Sequence, residues 1–372
     1  MENTIKELCD QFGVAGELIS YEVFKSGHIN TTLMVRFDVD GKTREYVLQR
    51  INKNVFKKPD EVMENISNVT NFIKNKLKSQ GEKTSRRVLR FYPSVNGKYY
   101  TIDNNGDYWR MYRFVSNSVS FNETDNLQVL EETGKAFGEF QHLLDGFESD
   151  KLNIIIPHFH NTQNRYKIFK EVLAENPVGR ASEVEDEIQE YLALETIATK
   201  MYKMQKAGQL PLRVTHNDTK CNNVLFDEKT GKYLCVIDLD TIMPGLVCFD
   251  FGDAVRFAGN TCAEDETDLS KVRLDFDKFA ALSKGFISRA GSSLSQTEKD
   301  TLALGAITMT VECGLRFLTD YIDGDNYFKT NYPQHNLDRA RCQLKLAQDM
   351  IENYEKMQEV VKENCAIYSN NQ

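Results

Sequence analysis

Apolar and polar residues alternate with a period of two through the first part of the chain, which marks Leu18–Phe24, Thr31–Val39 and Thr43–Ile51 as strands. The breaks between them are Ser26-Gly-His-Ile-Asn30 and Asp40-Gly41. The second is a hairpin signal, because Asp-Gly readily supplies the positive φ angles of a two-residue turn. A helix is predicted from Pro59 toward Lys78, with Asp60, Glu61 and Glu64 in its first turns. Strand-like runs resume at 88–92, 99–102 and 107–115, separated by Asn-Gly and Asn-Asn-Gly turns. Beyond residue 126 the period becomes helical, over 127–144, 165–174, 183–206, 276–290, 296–321 and 338–363, the last with Asp338 as N-cap. This predicts an α+β chain of two lobes: a β-rich N-terminal lobe over 1–115 and a mainly helical C-terminal lobe over 116–372.

Size and composition agree with that plan. A chain of 372 residues exceeds the usual limit of a single core, and 41% hydrophobic with 27% charged residues is ordinary for a globular protein. Net charge is −9 and the 46 basic residues are dispersed, so no nucleic-acid surface is predicted. The eight cysteines show no C-x-x-C pair and no zinc spacing, which reads as core thiols of a reducing compartment. The first residues carry no apolar core or cleavage signal, and no run is read as long enough to span a membrane. A cytoplasmic protein, a monomer or weak homodimer with no membrane partner, is expected.

Chemistry concentrates at 216–238. His216-Asn-Asp-Thr-Lys-Cys-Asn-Asn223 reads H-x-D-x-x-x-x-N, and a strand, a polar turn with Gly231 and a second strand then end at Asp238. This is the order in which a kinase-type site supplies a base and two magnesium ligands. Phosphoryl transfer has a loose transition state, so the protein mainly positions the acceptor and offsets charge. Asp218 suits the base, while Asn223 and Asp238 are hard oxygen donors for Mg²⁺. Asp250-Phe-Gly252 spells a familiar metal-binding tripeptide, but it follows Pro244-Gly245 rather than the strand that should present a ligand. Asp250 is therefore expected to cap backbone groups from a buried position.

The remaining parts of a protein-kinase-like fold are placed around this motif. The Ser26–Asn30 turn, with Gly27, is in position to cover phosphates with backbone N–H groups. The third strand offers Gln49 or Arg50 where a lysine would be expected, and Arg50 could pair with Glu61 or Glu64. Ser116–Ser120 is a hinge candidate, with adenine held by backbone near Arg113, Phe114 and Val115.

The run Val214–Phe226, with Val236-Ile-Asp-Leu-Asp-Thr-Ile-Met-Pro-Gly-Leu246, Asp250-Phe-Gly-Asp253 and the late block Glu312–Cys342, resembles the aminoglycoside phosphotransferase and choline kinase superfamily. The likeness covers nearly the whole chain and is closest to bacterial N-acetylhexosamine 1-kinases. It implies transfer of the ATP γ-phosphate to the anomeric hydroxyl of N-acetylglucosamine or N-acetylgalactosamine. It further implies Lys220 at the γ-phosphate, Arg316 and Tyr327 as sugar contacts, and His28 and Asp240 lining the site. Beside these stand plainer readings, such as an i, i+4 ion pair between Glu312 and Arg316. The missing third-strand lysine departs from the superfamily. Two alternatives remain open. One is a kinase of the same fold acting on an aminoglycoside, choline, homoserine or methylthioribose, with the acidic tract Glu264–Asp268 suited to a cationic acceptor. The other is a non-catalytic nucleotide-binding scaffold.

Overall fold

A computed structural model describes residues 2–24 and 29–369. Helix α1 (Glu2–Gln11) lies outside the predicted elements and buries Ile5, Leu8 and Cys9. The three alternating runs form β1 (Glu17–Val23), β2 (Thr31–Val39) and β3 (Lys42–Arg50), and the β2–β3 turn has positive φ at both Asp40 and Gly41. Helix α2 (Pro59–Ser79) places proline in its first turn, where its missing N–H has no helical partner to lose. Strands β4 (Thr101–Ile102), β5 (Tyr108–Arg113) and β6 (Ser118–Val119) follow. Among the described residues β1–β5 form one sheet in the order β1-β2-β3-β5-β4. The apolar side of α1 joins Leu33, Val35, Phe37, Leu48 and Met111 of that sheet in a common core. The strand expected at 88–92 does not form. Only Phe91 bridges Tyr112, because Pro93 has no N–H with which to extend a ladder.

The chain continues into α3 (Leu127–Leu143), capped by the Asn126 side chain on the Gln128 and Val129 amides, and α4 (Thr162–Glu175). The helix expected over 183–206 is three pieces, α5 (Glu185–Ala193), α6 (Glu195–Ala198) and α7 (Lys200–Lys206). At the second break the Thr199 hydroxyl donates back to the Glu195 carbonyl at 2.7 Å, a bond that bends helices. Strands β7 (Arg213–Thr215), β8 (Val224–Asp227), β9 (Tyr233–Val236) and β10 (Met243–Gly245) lead to α8 (Val247–Ala258), α9 (Phe276–Ala290) and α10 (Gln296–Asp323). The predicted helix over 338–363 is also divided, into α11 (His335–Glu352) and α12 (Tyr354–Ser369). Asn353 sits at the break, and Asp338 lies inside the first turn of α11, with Gln334 at the N-cap. Contrary to expectation, α10 is long and apolar enough to cross a membrane, but 89% of its most apolar window is buried in protein.

Two compact units result. One contains residues 1–119, 146–157 and 225–243, and the other 120–145, 158–224 and 244–372. The β8–β9 hairpin, expected within the helical part, thus falls mostly in the sheet-bearing unit, where Ser118 of β6 pairs with Asp227 of β8. In the helical unit α10 packs against α4, α8, α11 and α12, and α3 packs against α9. Glycine permits the tightest approaches. A Cβ on Gly285 would lie 2.0 Å from the Glu131 carbonyl oxygen, and one on Gly252 would lie 2.3 Å from that of Gly305. Gly252 of the Asp-Phe-Gly tripeptide is therefore a helix–helix contact.

Candidate active site

Within the helical unit, the 216–223 loop hangs from the start of α8. Asp250, 1% exposed, accepts the His216 and Asn217 amides at 2.8 Å each and the Gln141 side-chain amide at 2.9 Å. Burial pushes its carboxyl above the ordinary range, against these hydrogen bonds and the nearby His216 ring. The expectation of a buried, backbone-capping aspartate holds. Thr219 donates its hydroxyl to the Asp250 carbonyl at 2.6 Å and its amide to Asp253 at 3.2 Å. Asn217 takes the left-handed conformation at φ 64°, and the His216 ring sits edge-on to Phe137 and Phe140. Between these anchors Asp218 stays partly exposed. Its carboxylate lies 3.1 Å from Lys220 Nζ, and Asn223 Nδ2 donates to the Asp218 carbonyl at 2.8 Å and carboxylate at 3.0 Å. The three predicted residues of this loop are thus neighbours.

The same unit holds a second cluster. Glu312, 1% exposed, accepts from His160 Nδ1 at 2.8 Å and the Thr162 hydroxyl at 2.6 Å, so it does not form the helix-surface pair with Arg316. Burial alone would raise its pKa; the His160 hydrogen bond, with the charges of His160 and Arg165, outweighs burial and holds it below the usual range. His160 Nε2 reaches the Asn217 carbonyl at 3.3 Å, which ties the cluster to the loop. Arg316 instead spreads over the Tyr327 and Phe328 rings at 5.6 and 5.1 Å, with Nη2 3.4 Å from the Tyr327 hydroxyl. Asp320 fixes this segment by accepting the Tyr327 and Phe328 amides at 2.7 and 2.9 Å. Arg165 belongs to the group as well: burial, then the charge of Arg316, depress its pKa.

In the sheet-bearing unit, Asp238 adopts the left-handed conformation, φ 58° and ψ 60°, and opens a 3₁₀ turn over Leu239–Thr241. Asp240 is buried at 3% exposure, ion-paired with the equally buried Arg110, and accepts from Asn30 Nδ2 at 2.6 Å. Arg110 donates its other N–H groups to Gln49 Oε1 at 2.9 and 2.6 Å. Arg50 pairs with Asp107 at 3.0 Å rather than with Glu61 or Glu64; Glu61 accepts from Lys58 and Glu64 from Asn153. Of the hinge backbone, the Arg113 and Phe114 amides already donate to Arg90 and Glu45, at 2.9 and 3.2 Å. Gly27 and His28 lie outside the described residues.

Residues 20–272 match the phosphotransferase enzyme family. The chain belongs to that family. Its fold is that of the aminoglycoside phosphotransferase from Alicyclobacillus acidocaldarius (TM-score 0.56, 11% identity, 98% of this chain and 96% of that one). It is also that of a microcompartment-associated aminopropanol kinase (0.59, 12%, 95% and 98%). A third, spectinomycin phosphotransferase in complex with ADP and spectinomycin, aligns at 0.52 and 13% identity over 98% of both chains.

A phosphotransferase needs hard oxygen donors for a divalent cation, and each unit carries one such candidate. Both donations from Asn223 in the helical unit come from Nδ2, so its Oδ1 is the candidate neutral oxygen, and Asp238 in the sheet-bearing unit is the candidate anionic one. Among the described residues no three His, Cys, Asp or Glu side chains cluster as a metal site, so such a cation would rely on the amide as well. Motif spacing misses Arg110, His160, Arg165 and Glu312. The local signals that could have exposed two of them are an arginine inside the strand Tyr108–Arg113 and a glutamate inside the apolar helix α10.

Proposed function

We propose that this phosphotransferase moves the γ-phosphoryl group of ATP onto the anomeric hydroxyl of an N-acetylhexosamine. In this reading Asp218 orients the acceptor hydroxyl and takes its proton as that oxygen bonds phosphorus and the bond to the ADP oxygen breaks. Lys220, beside Asp218, offsets charge at the γ-phosphate. Asn223 and Asp238 hold Mg²⁺, which supplies charge compensation across the phosphates. Gly27 covers phosphates, Arg50 reaches them from its exposed end, and the backbone of Arg113, Phe114 and Val115 reads adenine. Arg316 and Tyr327 contact the sugar, with His28 and Asp240 as further lining groups.

The observation that carries the acceptor assignment is the charge around Tyr327. Arg316 lies over the aromatic pair Tyr327 and Phe328, with Arg165 close enough to feel its charge, and the buried carboxylates beside them are committed, Glu312 to His160 and Thr162 and Asp320 to the Tyr327 and Phe328 amides. Such a surface supports a neutral polyhydroxyl acceptor with an amide carbonyl and repels choline or an aminoglycoside. The acidic tract does not change this: Glu264 pairs with Arg256, Asp265 with His335, and Asp268 bonds its own turn.

Phosphorus NMR after incubation with ATP, Mg²⁺ and N-acetylglucosamine tests the reading. A product signal coupled to the anomeric proton is expected. Phosphorylation of choline or an aminoglycoside, with both N-acetylhexosamines untouched, would refute it.

A further inference from the structure

The sheet of this protein carries its buried cation on an unexpected strand. On β3, Arg50 turns to Asp107, and Gln49 is committed to its neighbour across the ladder, Arg110 of β5. Arg110 uses its remaining edge on Asp240, two residues beyond Asp238. The second oxygen of Asp240 accepts from Asn30, whose own Oδ1 accepts the Asn52 amide at 2.9 Å. On the far side of the turn, Asn65 of α2 donates to the Ile242 carbonyl at 2.9 Å.

We infer that Arg110 is a positioning residue for Asp238, acting through Asp240. This inference rests on the reading of Asp238 as a metal ligand. A buried ion pair returns in attraction roughly what it costs in desolvation, so apolar residues of equal volume would hold the fold equally well. They would not fix the Leu239–Thr241 turn, whereas a planar guanidinium locked by two bonds to Gln49 presents Asp240 with one orientation. Asp238 needs that support, because the left-handed conformation is one an aspartate leaves readily unless its surroundings hold it. Arg110 also balances one of two carboxylates placed two residues apart. Its own pKa is pulled down by burial and raised further by Asp240, with a smaller contribution from Asp238. Through Asn30 the same carboxylate also ties the turn to Asn52, just past the end of β3.

The test is the binding of Mn²⁺ to the full-length protein in the presence of ADP, read by the electron paramagnetic resonance of free Mn²⁺. Arg110→Met should weaken Mn²⁺ binding about 10–100-fold, the usual effect of removing a group that orients a metal ligand. Arg110→Lys, which keeps charge and loses the fork, should fall between Arg110→Met and wild type. Asp240→Asn keeps volume and a partner for Asn30, and should weaken binding in the same direction, which covers the case in which Arg110→Met does not fold. Mn²⁺ affinity within about twofold of wild type in a folded Arg110→Met or Asp240→Asn protein, measured against the 10–100-fold expectation, overturns the inference. No acceptor enters this measurement, so its outcome is separate from whether N-acetylhexosamines are phosphorylated.

Discussion

Replacing Glu312 by glutamine tests whether the His160–Glu312 cluster holds the 216–223 loop. The carboxylate is 1% exposed and accepts two short hydrogen bonds, from His160 and Thr162, with Arg165 as a further positive neighbour. A hydrogen bond to a charged buried group contributes about 1.5–3 kcal/mol, and glutamine keeps the shape and one accepting oxygen. Losing the charge and one of the two bonds should therefore cost about 2–3 kcal/mol, read from urea unfolding followed by helical circular dichroism. The pH dependence has a definite sign. The folded-state pKa of Glu312 is depressed below its ordinary value of 4.5. Its contribution is thus complete above that pH and lost as pH falls toward the lowered folded value. The stability gap between wild type and variant should narrow in that acid range and be constant near neutrality. A cost below about 0.5 kcal/mol at neutral pH, the scale of an ordinary surface change, would refute the reasoning. So would a gap that does not narrow below pH 4.5.

Three further outcomes are expected. Asp218→Asn should fold and bind ATP, since the side chain is partly exposed, while kcat falls about 10²–10⁴-fold, the share general base catalysis usually supplies; full activity would remove Asp218 from that role. Gly285→Ala should lower the melting temperature by an overpacking cost of about 1–3 kcal/mol, because its Cβ would lie 2.0 Å from the Glu131 carbonyl oxygen, and an unchanged melting curve would contradict the α3–α9 contact. Burial, the first cause in each case, pushes the thiols of Cys9, Cys235 and Cys248 up to about 12, so a thiol reagent at pH 8 should spare these three in the native protein and modify all eight cysteines after unfolding; native labelling of the three, mapped by mass spectrometry, would show the burial to be wrong.

What the sequence reveals follows the range of the interactions. β1–β3, the Asp40-Gly41 turn and the span of α9 are set by alternation, positive φ and a local cap, and these were legible. The loop 216–223 was legible for the same reason, since Asp218, Lys220 and Asn223 meet through bonds spanning at most five residues. Errors occur where one residue decides against its neighbours: Pro93 stops a strand, and Thr199 and Asn353 break helices whose apolar period runs on past them. The short α1 carries helical spacing in Ile5, Leu8 and Cys9, but at ten residues its formation depends on the sheet it covers. The buried groups around the site are least legible, because their partners are remote in the chain. Arg110 and Asp240 are 130 residues apart, and His160 and Glu312 are 152. A local pattern can show that an arginine in an apolar strand, or a glutamate in the apolar helix α10, must be neutralised somewhere. It cannot name the partner: Glu312 is bound to His160, and Arg316 lies over Tyr327 instead.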